Sequence, residues 1–446
     1  MSTLHLEPWL TLGLALLFLA LLLKLGHFPG WCPAPQPTKR RSPRPLRPRT
    51  PDDCPFCQET GGSLAGPKTV VPYSQRKSPR GRKKGLDTQG YACPHPDCDY
   101  FRNTNAAVHA LIGYGHHGCH EPIQDFFCKA CQRKFTARRH TPLYRLKASS
   151  KRVAQALQAM AEGLSTRAAA RVFSTSETTL RRWLSRAGQP SQNLHERFLR
   201  TLHLTHVQLD ELRLKLYNAA EAHWLWIACD AGTKLIPAFV LGPRTQALAH
   251  QLVHDVAKRL APDCLPVFSS DGLALYFYAL TAHFGTWVQA ANERCRTWCV
   301  DARLLYAQVV KRYRRHRITD VRRHVLLGQP EAFRKTLISA GFSGRVQTAF
   351  IERINLTVRR SLASLARRSW TLRAARSTQD LALQFDWWRA IYHFVKPHYR
   401  LRQKIEVASS RPRYRSRTPA QAAGLTRRRW SVLEVLNCPA PPAVFG

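Results

Sequence analysis

Residues 203 to 272 change hydrophobic period in an order that dictates a sheet. THVQLDELRLKLY alternates apolar and polar side chains and reads as a strand with Asp210 near its middle or end. HWLWIACDAGTKLIPAFVLG reads as two further strands joined at a DAGT turn, completing an antiparallel meander of three. The helical period of RTQALAHQLVHDVAKRLA follows, then a short buried strand, LPVFSSDG, ending at Asp271. Far downstream, FIERINLTVRRSLASLARR has the spacing of a helix with Glu352 in its first turn. This order brings Asp210 and Asp271 to neighbouring strand ends in an RNase H-like α/β sheet spanning 203–400, where Glu352 can close the triangle.

Three carboxylates so arranged can hold two Mg²⁺ or Mn²⁺ ions roughly 3.5–4 Å apart, as in-line phosphodiester displacement requires. Each acid also has a plain structural use. Asp210 would suit a strand-end turn, Asp271 a helix N-cap and Glu352 a surface pair with Arg353 or Arg359. The joint placement is what points to chemistry. Asp230 sits in the hairpin turn, where Asp is expected on conformational grounds. Glu211, Asp255 and Asp301 read as surface acids or as acids that support the metal ligands from behind.

The charge balance names the partner class. Lys and Arg number 69 against 28 Asp and Glu, a net charge of +41 spread along the chain, which calls for nucleic acid or an anionic membrane surface. Hydrophobic residues make up 44%, enough for a core and too many for wholesale disorder. Basic residues crowd 292 to 325, from Arg294 and Arg296 to Arg322 and Arg323, in a density suited to phosphate contacts. Trp298, Tyr306 and Tyr313 beside them are available for base stacking or core packing.

Thirteen cysteines fall partly in short pairs, which favours zinc in a reducing compartment over disulfides. Cys93 and Cys98, then Cys128 and Cys131 after 29 intervening residues, read as the knuckles of a zinc ribbon at 90–145, seated on β-hairpins. Free thiols are the alternative. Cys54 and Cys57 form a third pair that could replace one knuckle or bind metal with His109, His116, His117 or His120. Cys119 reads as a packed or free thiol.

From Ser150, SKRVAQALQAMAEGLSTRAAARVFSTSETTLRRWLSRAG gives three short amphipathic helices broken near Gly163 and at Ser174 to Ser176. That is a helix-turn-helix at 146–190, with Ser176 as N-cap of its last helix. Arg181, Arg182 and Arg186 lie where a recognition helix meets DNA, and Arg353 and Arg359 are further candidate DNA contacts. A trihelical bundle that binds nothing has the same pattern.

Two segments flank these modules. Residues 9 to 28 are almost continuously apolar and long enough to span a bilayer, followed by Lys39, Arg40, Arg41, Arg44, Arg47 and Arg49. They are either an anchor at the inner face of a membrane or an extended start upstream of the true protein. Residues 29–89 read as a flexible basic linker, and 401–446 as a basic tail.

The motifs YACPHPDCDYF, FFCKACQRKFTARRHTPLYRLK, QLDELRLKL, VFSSDGLALYFYAL, IERINLTVRR and YHFVKPHYRLR resemble those of the insertion-sequence-one type of DDE transposase, over about residues 90 to 436. Tyr392, Phe394, Pro397 and His398 match a stretch common in integrase-type DDE enzymes. The resemblance implies a zinc-binding module, a helix-turn-helix for terminal inverted repeats, and a Mg²⁺-dependent core with Asp210, Asp271 and Glu352 as triad. It further implies cleavage and strand transfer on terminal-repeat and target DNA by a homo-oligomer; the basic residues that follow the apolar segment place the chain in the cytoplasm, where it would be nucleoid-associated. A non-catalytic zinc and helix-turn-helix regulator derived from a transposase is the alternative, and a membrane-anchored basic scaffold a third reading.

Overall fold

In the computed structural model, the residues described are 70–76, 86–118, 121–214, 222–289, 295–315, 317–366, 377–405 and 413–438. The apolar segment 9–28, the pair Cys54 and Cys57, Cys119, His120 and Arg294 lie outside them. No helix among the described residues is long and apolar enough to cross a membrane.

The first unit is a three-stranded antiparallel sheet, β1 (Leu111–His117), β2 (Ile123–Cys128) and β3 (Arg133–Thr136), in that order. The end of the expected linker belongs to it. Tyr73 donates its N–H to the Val108 carbonyl at 2.9 Å, and the Tyr100 hydroxyl donates to the Val71 carbonyl at 3.1 Å. Val70 and Tyr73 pack on the same small core, so apolar burial overrides the Pro- and Arg-rich composition here.

Three helices follow: α1 (Ser150–Ala161), α2 (Thr166–Val172) and α3 (Glu177–Phe198). Ser149, Ser165 and Ser176 cap them by accepting the N–H three residues on. Gly163 ends α1 at φ +106°, a backbone state that L side chains rarely adopt, and a Cβ there would meet the Arg360 carbonyl at 2.5 Å. The last helix passes through Gly188 and Pro190 where the sequence suggested its end. Its second half buries Ala187, Gly188, Ser191, Leu194 and His195 against α8 (Thr378–Ala390), and that packing outweighs two poor helix formers.

The central sheet has six strands: β4 (His206–Arg213), β5 (Trp224–Asp230), β6 (Phe239–Gly242), β7 (Val267–Asp271), β10 (Tyr306–Arg314) and β11 (Arg317–Leu327). Their order is β11-β10-β7-β4-β5-β6. β7 runs parallel to both β4 and β10, and all other neighbours are antiparallel. A small hairpin, β8 (Gly285–Val288) with β9 (Thr297–Val300), precedes β10. Helices α4 (Gln246–Ala257) and α5 (Leu275–His283) pack together, and Tyr276 of α5 meets Trp226 of β5 edge-on with ring centroids 5.7 Å apart. After α6 (Pro330–Ser339), helix α7 (Ala349–Ser361) lies against β4 and β5.

The C-terminal stretch is folded where a basic tail was expected. Hairpin β12 (His398–Ile405) and β13 (Arg413–Arg417) leads to α9 (Pro419–Ala422) and α10 (Val432–Asn437). Both helices begin with a capping box, Thr418 with Gln421 and Ser431 with Glu434. Val432, Val435 and Leu436 enter a core shared with Leu157 of α1, Trp183 of α3, Ile354 of α7 and Trp388 of α8. The three modules expected for 146–446 therefore share one core.

Candidate functional site

Asp271 is the last residue of β7, and the parallel register that sets Leu209 opposite Ser270 puts it beside Asp210 of β4. Carboxylate oxygens of Asp210, Glu211 and Asp271 all lie within 4.8 Å of one another. Adjacent strand residues point to opposite faces, and the contacts divide accordingly. Asp210 turns toward α7 and accepts from Asn355 Nδ2 at 2.7 Å, while Glu211 turns toward α5 and accepts from the Tyr276 hydroxyl at 2.9 Å and from Arg244. Asp271 accepts the Leu273 N–H at 3.1 Å. Glu352, in the first turn of α7, is bound by Lys311 of β10 and by the Thr348 hydroxyl at 2.7 Å. It stands outside the group of three but lines the same cavity of about 750 Å³, with Asp210, Glu211 and Asn355.

The electrostatics are those of like charges held together. Burial first, then Asp271 and Glu211, push the Asp210 carboxyl up to about 7. Burial also raises Asp271, against the opposing Leu273 N–H, Arg244 and Lys311, and raises Glu211 together with the charge on Asp271. Buried carboxylates that repel one another are a donor set that a dication suits, because it removes the repulsion and replaces the missing hydration. Asn355 Oδ1 adds a buried acceptor without a partner at the same place. The residues present fit a divalent ion.

The four cysteines form a second cluster. Their sulfurs all lie within 4.8 Å, with Cys93 and Cys131 3.6 Å apart and Cys98 and Cys128 3.8 Å apart. Tetrahedral thiolates about 2.3 Å from zinc have sulfurs about 3.8 Å apart, so the group can hold a structural zinc. Hydrogen bonds from Cys93 and from the Cys131 and Ala130 N–H groups hold the Cys128 thiol down to about 5, whereas burial pushes Cys98 up to about 11. Only the second knuckle rides a hairpin of two strands, between β2 and β3; Cys93 forms an isolated bridge with Phe101, and Cys98 lies in the turns between them. The histidines weighed as ligands are elsewhere: His109 is buried and bonded to the Thr88 carbonyl and the Leu111 N–H, and His116 and His117 are exposed on β1.

Residues 147–193 match a family model described as a homeodomain-like domain. No curated protein matches the chain. The homeodomain-like region comprises α1, α2 and most of α3, a DNA-binding architecture that reads a groove with its last helix. On α3, Thr178, Arg182, Ser185 and Gln189 are exposed at helical spacing and form one solvent-facing stripe. Arg181 pairs with Glu177 at 3.5 Å. Arg186 is turned inward, donating from Nε to the Pro142 carbonyl at 3.1 Å and from its other arm to the Tyr144 carbonyl.

The other basic and aromatic candidates separate by burial. Arg353 is exposed on α7, and Arg359 reaches the Arg213 carbonyl at 3.4 Å beside the acidic cavity. The tip of the β10–β11 hairpin exposes Arg312, Tyr313, Arg314, Arg315 and Arg317. Tyr306, a stacking candidate, is fully buried and bonded to Ser270 and Gln308. Trp298 packs on Trp287 and donates to the Thr281 carbonyl at 2.9 Å. Asp230 is a structural residue: its carboxylate accepts the N–H groups of Thr205, His206 and Thr233. Sequence reasoning missed Glu211 and Asn355. The available signals were an acid next to Asp210 and an amide one turn beyond Glu352.

Proposed function

We propose that the chain is a DDE transposase that cuts DNA and transfers strands through a metal-dependent centre on an RNase H-like core. The observation that carries this reading is the meeting of Asp210, inside β4, with Asp271 at the end of the parallel neighbour β7, with α7 and Glu352 alongside. The sheet supports it: an antiparallel trio, β6-β5-β4, continues in parallel into β7 and β10, the order of an RNase H-like sheet. The homeodomain-like region and the basic β10–β11 tip supply the expected contacts to DNA. The insertion-sequence-one assignment rests on the motif resemblance.

Asp210 and Asp271 would supply the principal metal-holding oxygens, with Glu352 entering from α7. Mg²⁺ or Mn²⁺ bound there would activate the attacking water or 3′-hydroxyl and stabilise the leaving oxygen. Asn355 fixes the rotamer of Asp210, and Arg244 with Tyr276 fixes that of Glu211. Lys311 balances the charge of Glu352.

The test is Mn²⁺-dependent nicking, by the full chain, of DNA carrying the ends of its own genetic element, beside Asp271→Asn. Cleavage by the wild type, reduced on the order of 100-fold or more in the variant, is the expected result. One observation favours a DNA-binding regulator instead: Glu352 is engaged by Lys311 and Thr348, apart from the three clustered acids. Tight binding without metal-dependent cleavage by either protein would establish that reading.

A further inference from the structure

Helix α7 has a second cavity on its other flank. It measures about 740 Å³ and is lined by Lys234, Arg353, Arg360, Lys396, His398 and Arg400. Glu162 is the acid in this lining, and it is tied to Lys396. Arg353, Arg360 and Arg400 form no ion pair among the described residues. The Lys234 ammonium lies 3.6 Å from the Phe350 ring centroid, buried in the wall, and burial lowers its pKa. The Tyr392 hydroxyl, almost wholly buried on the same wall, has no hydrogen-bond partner. Cations gathered with so little counter-charge repel one another until an anion enters.

Two features identify that anion. Leu356 and Arg360 line this cavity and the acidic one alike, so the two sites are neighbours across a single helix. Tyr399 at the mouth is 69% exposed, with Arg402 stacked 4.2 Å over its ring, the pairing of aromatic and guanidinium on which bases stack. The volume is that of pockets holding drug-sized molecules, which suits a few nucleotides of one strand and excludes a duplex. We propose that this groove holds the phosphodiester backbone of single-stranded DNA flanking the cleavage position. The proposal rests on the transposase reading for the location of the scissile phosphate. A helix is about 10 Å across and strand phosphates advance about 3.4 Å each, so the groove engages the strand about three nucleotides from the acidic centre.

The experiment measures DNA binding by the full chain in EDTA, where no cleavage occurs. Two forms of the element end are compared, one flush and one with a six-nucleotide single-stranded flank. The wild type is expected to prefer the flanked end. The Arg353→Gln, Arg360→Gln, Arg400→Gln triple variant is expected to lose that preference, its affinity falling further on the flanked end than on the flush one. Its slope of log affinity against log salt on the flanked end should fall by about 2, from three lost contacts to a single strand. Restoration of the preference by the matching Arg→Lys variant, at an unchanged melting temperature, separates charge from folding. Equal losses on both DNAs, or none, overturn the proposal. So does micromolar, one-to-one binding of inorganic pyrophosphate that the Gln variant loses while the wild type shows no flank preference, because the groove is then a small-anion site. Retained preference without cleavage in Mn²⁺ refutes the transposase reading alone, and cleavage without preference refutes the groove alone.

Discussion

Asp210 and Glu211 are consecutive on one strand and face opposite sides of it, yet both reach the Asp271 carboxylate because they approach the open end of the sheet from either side. The consequence is measurable without any metal. Asp210 has an ordinary value of 3.8 and is pushed up to about 7, so between those values the folded chain holds a proton that the unfolded chain has released. Stability attributable to this group is therefore present below pH 4 and lost as pH rises through 7. Asp210→Asn keeps an oxygen to accept from Asn355 and removes the charge. In EDTA at pH 8 we expect its melting temperature to exceed the wild type by a few degrees, with the gap closing toward pH 4. A variant that melts lower than wild type at pH 8 would show that the acids are not in electrostatic conflict.

The helices carry information that residue preferences contradict. Gly188 lies mid-helix in α3, where Ala would ordinarily gain about 1 kcal/mol. A Cβ at that position would meet Leu383 Cβ at 2.5 Å and the Leu383 carbonyl at 2.6 Å, backbone and near-backbone atoms of α8 that cannot swing aside. Gly188→Ala is therefore expected to destabilise, by about 1–3 kcal/mol, the usual range for an overpacked core. Thermal unfolding followed by circular dichroism reads the sign directly, and a gain in stability would mean that α3 and α8 do not pack this closely. The same closeness explains why α3 outruns its sequence signals. Pro190 removes one helical hydrogen bond, and the burial of Ala187, Leu194 and neighbouring side chains on α8 compensates for it.

Across the whole molecule, the homeodomain-like region is built into the larger core. Trp387 of α8 donates its indole N–H to the Leu157 carbonyl of α1 at 3.1 Å, and buried side chains from α1, α3, α7, α8 and α10 form one cluster. Helix α3 exposes one face at Thr178, Arg182, Ser185 and Gln189 and buries the other from Leu180 and Trp183 to Leu194 and His195. A single rigid element thus carries the solvent-facing stripe on one face and joins the shared core with the other. Excised residues 147–193 would leave Leu157, Trp183 and Leu184 uncovered. We expect that fragment to lack a cooperative melting transition, read by circular dichroism and amide dispersion in NMR spectra. A fragment that melts cooperatively above room temperature would identify the region as an independent module.

Local periodicity determined much by itself. The strands around Asp210 and Asp271, the helix bearing Glu352, the caps at Ser176 and the paired cysteines are all written in short-range spacing, because they depend on backbone preference and side-chain alternation. Sequence could not reveal that Glu211 joins Asp210, that Asn355 grips it, or that Tyr306 is buried, since those facts depend on which strand edges and helix faces meet, across separations of 36 residues for Tyr306, 65 for Glu211 and Tyr276, and 145 for Asp210 and Asn355. Nor could composition show that residues 413–438 fold, because the few apolar side chains among many arginines matter only once α1 is there to receive them. Spacing along the chain fixes local elements. Which charges are forced together, and which are left facing water, is decided only when those elements pack.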